Sequence, residues 1–341
     1  MGDLSTILKE MNKKGIWTST EGAVFDTSNR LRFPSATLNY MTYGGIPRGR
    51  MMRLGGVEGS GKTTLAYAIM GQYIRDGEDQ RKILYLDTEN AYDVQWAMKQ
   101  GVTDPERVIV ISQTEEPAEL LLEYVLNLMD TGDIGLVVLD SLDGLVPDAV
   151  MKKDIAGSTI GALATVATKF YAKAKGVCAQ HEMIFITISQ VREKVNSPWG
   201  GLDTSGGRMV KHAQSITLFL TGGSYFDDGF KDVPSNFGFP RGKTVTVQLK
   251  KIRCAPPDRK VGTYTINFVD GVDREIDLFE MALVLGFIEQ SGAWYQLFDP
   301  ETGEQLEKVQ GKGNCIKRLK EDRDLFDKLD LAVYNKSIKE E

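Results

Sequence analysis

Histidine and cysteine are scarce in this chain. Two histidines, His181 and His212, and three cysteines, Cys178, Cys254 and Cys315, are scattered through 341 residues. No zinc-type spacing joins them, and three dispersed thiols make no disulfide framework. A reducing compartment fits, so the expectation is a cytoplasmic protein. Long apolar runs are missing too. No stretch reaches the ~18 apolar residues of a membrane span. The start lacks a basic segment followed by an apolar one, so no signal peptide is read there. Met1 to Thr6 fits the loose N-myristoylation pattern, but no second anchor accompanies it and a helical pattern begins at once. Positive charge is not in excess: 41 Lys and Arg against 47 Asp and Glu leave a net charge of −6. That excludes a polycation that coats nucleic acid in bulk, though not a local basic groove. Internal repeats and low-complexity segments are absent. The remaining composition is that of an ordinary soluble protein, long enough for one large core and a small domain.

What is present centres on residues 56–63. Gly56, Val57, Glu58, Gly59, Ser60, Gly61, Lys62 and Thr63 fit G-x-x-x-x-G-K-[ST], with Thr64 following. An apolar segment (Met51, Met52, Leu54) precedes them and a helical pattern follows. Strand, glycine turn and helix are the context that a phosphate-binding P-loop requires. Glycine lets backbone N–H groups curl around phosphate oxygens, and the helix start adds its dipole. Lys62 brings charge to the outer phosphates and Thr63 a hydroxyl to Mg²⁺, so ATP and Mg²⁺ are the expected ligands.

Residues 3–13 carry a helical stripe (Leu4, Ile7, Leu8, Met11), while residues 15–34 are weakly periodic. This arm, 1–34, is too short to be a domain and must dock on the body or on a neighbour. From 35 to 270 the pattern is α/β. Residues 83–87, 108–112, 136–140 and 184–189 are nearly continuous apolar runs, as parallel strands covered on both faces require. Residues 117–130 are amphipathic. Val245, Val247 and Leu249, then Tyr264, Ile266 and Phe268, alternate with polar residues and read as antiparallel additions to the sheet edge. Beyond 270 the character changes, with a helical segment at 277–289, a hairpin around 292–295, a turn at 299–303 and a charged helical tail. Residues 271–341 are expected to form a small domain.

Asp140 ends an apolar strand at the carboxyl edge, where ligands bind in open α/β sheets. Behind a P-loop it reads as the Mg²⁺-side carboxylate, acting through bound water. Glu89, two residues past another strand, stands where a carboxylate polarises an attacking water, although strands often end in Asp or Glu. Trp96 fits the core or a base-stacking platform. Gln190 ends the fifth candidate strand. Residues 191–209 are long for a connection inside a compact domain. They hold Arg192, Lys194, Arg208, one aromatic, Trp199, and four glycines, with Lys211 just beyond. Cations, pliable backbone and a stackable ring suit a single nucleic-acid strand. A solvated surface loop is an equal reading of the same residues.

Taken in order, these residues resemble the RecA family of ATP-dependent DNA recombinases. The likeness runs from about 44 to 320: residues 45–50 leading into the P-loop, Leu86 to Glu89 with Ala91 and Asp93, Leu139 to Ser141 with Leu145 to Pro147, Ser189 to Arg192 with Gly206 and Gly207, and Ser291 to Tyr295. The resemblance implies a RecA-type P-loop ATPase core with a mostly parallel central sheet, an N-terminal helical arm packed on the adjacent subunit and a small α/β C-terminal domain. It implies that Glu89 activates the attacking water, with Lys62 and Gln190 completing the catalytic set. Gln190 would sense the γ-phosphate and pass its state to the loop behind it. Asp93 and Trp96 would hold adenine, and Lys250 or Lys251 would reach the neighbour's ATP. Residues 152–162, with Lys152, Lys153, Gly157 and Ser158, would form the first DNA loop. Arg192, Lys194, Trp199, Ser205, Gly206, Gly207, Arg208 and Lys211 would serve the second. The implied partners are single-stranded DNA, homologous duplex and further copies in a helical filament. Departures exist: a second loop about one residue shorter, Ser189 in place of asparagine, and no clean match between Lys251 and Pro256. They suggest a divergent bacterial or phage-type member, similar in economy to UvsX. A hexameric RecA-fold helicase, or an ATP-binding recombination mediator, shares many of these features.

Overall fold

The computed structural model describes residues 6, 9, 29–152, 161–193, 202–204, 207–234 and 236–339. The stripe at Leu4, Ile7, Leu8 and Met11 lies outside them.

The strands fall where apolar runs meet turn residues. A short ribbon pairs β1 (Arg30–Leu31) with β2 (Ile46–Pro47). The large sheet is built from β3 (Met51–Gly56), β4 (Lys82–Asp87), β5 (Val108–Ser112), β6 (Ile134–Asp140), β7 (Ile184–Glu193), β8 (Leu202–Thr204), β9 (Ile216–Phe226), β10 (Asp232–Val233), β11 (Gly242–Ile252), β12 (Val261–Asn267) and β13 (Gly271–Val272). Its order is β13-β12-β11-β9-β3-β7-β6-β4-β5, with β8 paired to β7 and β10 to β9. The block β9-β3-β7-β6-β4-β5 is parallel. β11, β12 and β13 extend it antiparallel, as the alternating segments predict.

Helices cross between the parallel strands and cover both faces. Along β3, Met52 and Leu54 pack with Leu65 and Ile69 of the helix Lys62–Asp76. Met51 points the other way, into a cluster with Val125, Phe170 and Tyr171 of the helices Ala118–Asp130 and Ala162–Gln180. Every residue of β3 and β6 is buried. At about 1.5–3 kcal/mol per large aliphatic side chain, such burial makes these strands costly to displace. The candidate residues Gly56 and Asp140 end these two strands.

A third cluster gathers Ile276, Phe279, Leu319 and Phe326 around the helices Arg274–Val284, Lys312–Glu321 and Arg323–Ser337, and includes Ala36. Asp277 joins it to the body, accepting from Thr37 Oγ1 at 2.6 Å and Thr37 N at 3.2 Å. β14 (Ile288–Ser291), β15 (Trp294–Phe298) and β16 (Gln305–Gln310) form an antiparallel meander.

Two expectations are corrected. The helix foreseen at 277–289 stops at Val284, because Gly286 at positive φ turns the chain and Ile288 opens β14. Residues 191–209 are not one loop, and Gln190 does not end its strand. β7 continues to Glu193, and β8 returns against it, pairing Val191 with Thr204 and Glu193 with Leu202. Residues 207–213 then form the helix Gly207–Ala213. The Pro- and Gly-rich middle of the segment masked its two ordered ends.

Candidate functional site

The strand register assembles the site. Gly56 at the end of β3 lies beside Gln190 in β7. Asp87 at the end of β4 lies beside Asp140 at the end of β6. Four neighbouring strands thus deliver their candidate residues to one edge.

The P-loop is shaped by its glycines. A side chain at Gly56 would meet the Leu220 carbonyl at 2.4 Å and Ser60 Oγ at 2.8 Å, so only glycine fits. Gly61 caps the helix Lys62–Asp76 in a left-handed conformation, φ 89°. Ser60 Oγ donates to the Val57 carbonyl at 2.7 Å and tightens the turn. Lys62 Nζ donates to the carbonyls of Gly56 at 3.1 Å and Val57 at 2.8 Å. Burial pushes its pKa down, and the nearby carboxylates of Asp140 and Glu89 oppose that shift. A buried ammonium that spends its protons on loop carbonyls is poised to trade them for phosphate oxygens.

Asp140 accepts from Thr63 Oγ1 and from the Tyr85 hydroxyl, each at 2.8 Å. Burial pushes its pKa up, against the pull of those two donors. The carboxylate and hydroxyl supply hard oxygen ligands beside the phosphate cradle. Among the described residues no cluster of three or more His, Cys, Asp or Glu could hold a metal alone. This donor set fits Mg²⁺, which takes one or two protein oxygens and completes its shell with water and substrate phosphates.

Glu89 is exposed and accepts from Ser141 Oγ at 2.6 Å. Its loop is gathered by Asp87, whose carboxylate accepts from the backbone N–H of Glu89, Ala91 and Tyr92 at 3.3, 3.1 and 2.8 Å. Gln190 is exposed, and its N–H donates to Asp143 Oδ2 at 2.9 Å. Asp93 caps the helix Val94–Lys99 by accepting from Trp96 N at 2.9 Å. Trp96 is half-buried against the core, and its Nε1 donates to Thr64 Oγ1 at 3.2 Å. Both residues therefore stand next to the P-loop helix.

Sequence reasoning missed several contributors. Asp87 was visible as a strand-end aspartate before a turn, the setting in which its carboxylate organises the following N–H groups. Tyr85 had no such signal, and Ser141 stood in the Leu139 to Ser141 likeness without a role of its own. Lys243 had no signal either; it is a half-buried β11 residue whose Nζ donates to the Gly59 carbonyl of the P-loop.

The candidate nucleic-acid residues are more dispersed. Lys152 is exposed and pairs with Asp148 at 2.9 Å. Gly207 and Arg208 open an exposed helical turn, and Lys211 follows on the same helix. Lys153, Gly157, Ser158, Lys194, Trp199, Ser205 and Gly206 lie outside the described residues, as does the side chain of Arg192. Lys250 and Lys251 are not brought to this chain's P-loop. Lys251 pairs with Thr217, which is level with Arg53, three residues before Gly56. Its Nζ instead donates to the His212 carbonyl at 3.5 Å and to that of Lys211.

A glycine-built phosphate cradle, an invested lysine, and carboxylates and an amide on adjacent parallel strands define a P-loop nucleotide-binding protein of the ATPase class. A family model for the RecA N-terminal domain matches residues 4–273. The RecA protein of Petrotoga mobilis is 31% identical over 339 residues, covering 98% of this chain and 88% of its own. The chromosomal RecA of Lactococcus lactis is 32% identical over 291 residues, 85% of this chain and 71% of its own. That of Chlorobium limicola is 29% identical over 327 residues, 95% and 87% respectively. The chain belongs to the RecA family. It is a RecA-type recombinase, a protein of DNA recombination and repair. No described helix is long and apolar enough to cross a membrane.

Proposed function

We propose that this edge of the sheet hydrolyses ATP with Mg²⁺, that turnover is coupled to single-stranded DNA, and that successive copies assemble as a filament with ATP between neighbours. The observation that carries the reading is the Gly56–Gln190 register. It puts Gln190 level with the first residue of the P-loop, on a strand that runs on into the β7–β8 hairpin, and so supports a link between the two.

Lys62 would exchange its two carbonyls for phosphate oxygens, and the N–H groups of residues 59–63 would line the cradle. Bound Mg²⁺ would neutralise charge on the phosphates, held through Thr63 and, by way of water, Asp140. Glu89, oriented by Ser141, would take a proton from the attacking water. Gln190 would report the γ-phosphate to the hairpin, so that ATP shifts the population towards the DNA-binding arrangement. The basic side chains at 152, 208 and 211 would meet phosphates, giving sequence-tolerant, salt-dependent binding. Pairing with homologous duplex would then rest on base complementarity. Asp93 and Trp96 would flank the adenine.

ATP hydrolysis with and without single-stranded DNA across a salt series tests the coupling, and DNA-indifferent turnover rejects it. Glu89→Gln should lower turnover by roughly 10²–10⁴-fold while ATP-dependent DNA binding survives. Retained turnover would remove Glu89 from the catalytic role.

A further inference from the structure

Arg53 is a charged residue on β3, and it is 1% exposed. It lies on the face of the sheet opposite Met52 and Leu54, with Met51, among the helices that follow the candidate DNA segments. Its Nε donates to Ser189 Oγ at 2.7 Å. Ser189 immediately precedes Gln190, so the guanidinium fixes the backbone that carries the amide beside Gly56. The same layer holds three further buried polar side chains. The hydroxyls of Tyr171 and Thr187 share a hydrogen bond of 2.7 Å. Gln214 Nε2 reaches Thr187 Oγ1 at 3.5 Å, while Gln214 Oε1 has no partner among the described residues. Ser189, Thr187, Tyr171 and Gln214 are all fully buried. Burial pushes the Tyr171 pKa up, and the Arg53 charge is near enough to oppose part of that rise.

The positions of these residues connect regions that the fold keeps apart. Arg53 belongs to the strand that ends in the P-loop, and Thr187 and Ser189 to the strand that carries Gln190. Tyr171 lies on the helix Ala162–Gln180, which follows residues 152–162. Gln214 is the residue after the helix Gly207–Ala213, which follows the β7–β8 hairpin. A buried guanidinium cannot leave an acceptor without losing far more than an exposed one would, so a polar layer around it rearranges as a unit. The oxygen of Gln214, without a partner among the described residues, is an acceptor that a second arrangement can fill.

We propose that Arg53 is a positioning residue, and that the layer Arg53–Ser189–Thr187–Tyr171–Gln214 transmits the state of Gln190 to the two helices behind the candidate DNA segments. This rests on the ATP–DNA coupling proposed above and assigns it a physical path with two arrangements.

The test is the ratio of single-stranded DNA affinity with a non-hydrolysable ATP analogue to that with ADP. It is measured on the full chain as wild type, Ser189→Ala, Thr187→Val and, as a control, Tyr264→Phe, whose buried hydroxyl has no partner among the described residues. The wild type should show a ratio within the roughly 5–150-fold range of coupled sites. Both network variants should cut it by at least about threefold, with the control unchanged. A wild-type ratio near one rejects the coupling and this path together. A large wild-type ratio kept by both variants rejects the path alone. Hydrogen exchange on the wild type gives a reading independent of mutant folding. The ATP analogue without DNA should change protection at 162–180 and 207–213, and unchanged protection there overturns the proposal.

Discussion

The two ends of β11 carry lysines with opposite attachments. At one end Lys243 pairs with Tyr225, five residues beyond the Leu220 that lies level with Gly56. Its ammonium leans on the Gly59 carbonyl of the P-loop in the same chain. At the other end Lys251 is level with Arg53, which at 3.3 Å per residue sets it about 10 Å behind the P-loop edge. There it leans on the carbonyls of Lys211 and His212. One end touches the chain's own P-loop, and the other does not. On the proposed reading, the far end would serve the nucleotide of the next copy. A donor surface and an acceptor site on different sides of one chain would then be heterologous, the arrangement that gives filaments or rings rather than closed two-fold dimers.

The strongest way to break that comparison is to mix two inactive chains. On the proposed reading, the double variant Lys250→Ala and Lys251→Ala should lose turnover by roughly 10²-fold or more, as loss of transition-state cations does. Glu89→Gln should be as poor. Mixed in equal amounts, about one quarter of interfaces would combine an intact Glu89 with intact lysines from the next copy. Turnover should recover towards that fraction. No recovery would show that the far end of β11 serves no neighbouring site.

The same contrast explains what could be read in advance. The P-loop, the strand-end carboxylate Asp140 and the parallel core depend on local pattern: glycine spacing, apolar runs and strand ends, whereas the roles of Glu89 and Gln190 came from the family resemblance. Such patterns survive in one dimension. Lys243 and Arg53 do not. Lys243 acts through the pairing of β11 with β9, and Arg53 through the pairing of β3 with β7, which joins residues more than 130 positions apart. No window of sequence contains either contact. Residues 191–209 were misread for a related reason. Strand pairing between Val191 and Thr204 is visible only once the hairpin has closed.

Lys251 offers a sharper test than deletion. Burial, and then the nearby charges of Arg253 and Lys175, push its pKa down to about 8. A cation needed by the next copy's nucleotide would be lost as pH rises through that value. Wild-type turnover should therefore fall along an alkaline limb near pH 8, and Lys251→Arg, charged throughout, should remove the limb. A limb that persists in the arginine variant assigns it to another group. The near end of β11 should respond less. Lys243→Met removes one charge-assisted contact to the P-loop, so ATP should bind on the order of tenfold more weakly, read by titration with a fluorescent analogue.

The smallest effect should come from a buried charge at neither end of β11. Burial pushes the Asp277 pKa up to about 6, even though Ser35, Thr37 and the Ala36 N–H donate to it. In an unfolded chain an aspartate titrates near 3.9. Between about pH 4 and pH 6 the folded state thus holds a proton that the unfolded state has released. The sign follows: this contribution to stability is complete below about pH 4 and is lost as pH rises through about 6. Asp277→Asn cannot titrate. Its urea midpoint should gain on that of the wild type as pH is raised from about 4.5 to about 7. ATP should leave that relative slope unchanged, since Asp277 ties Thr37 to the C-terminal cluster and touches no P-loop residue. A slope that changed with nucleotide would mean that the C-terminal cluster senses the site. The asymmetry between the two ends of β11 would then no longer suffice to describe how one copy signals to the next.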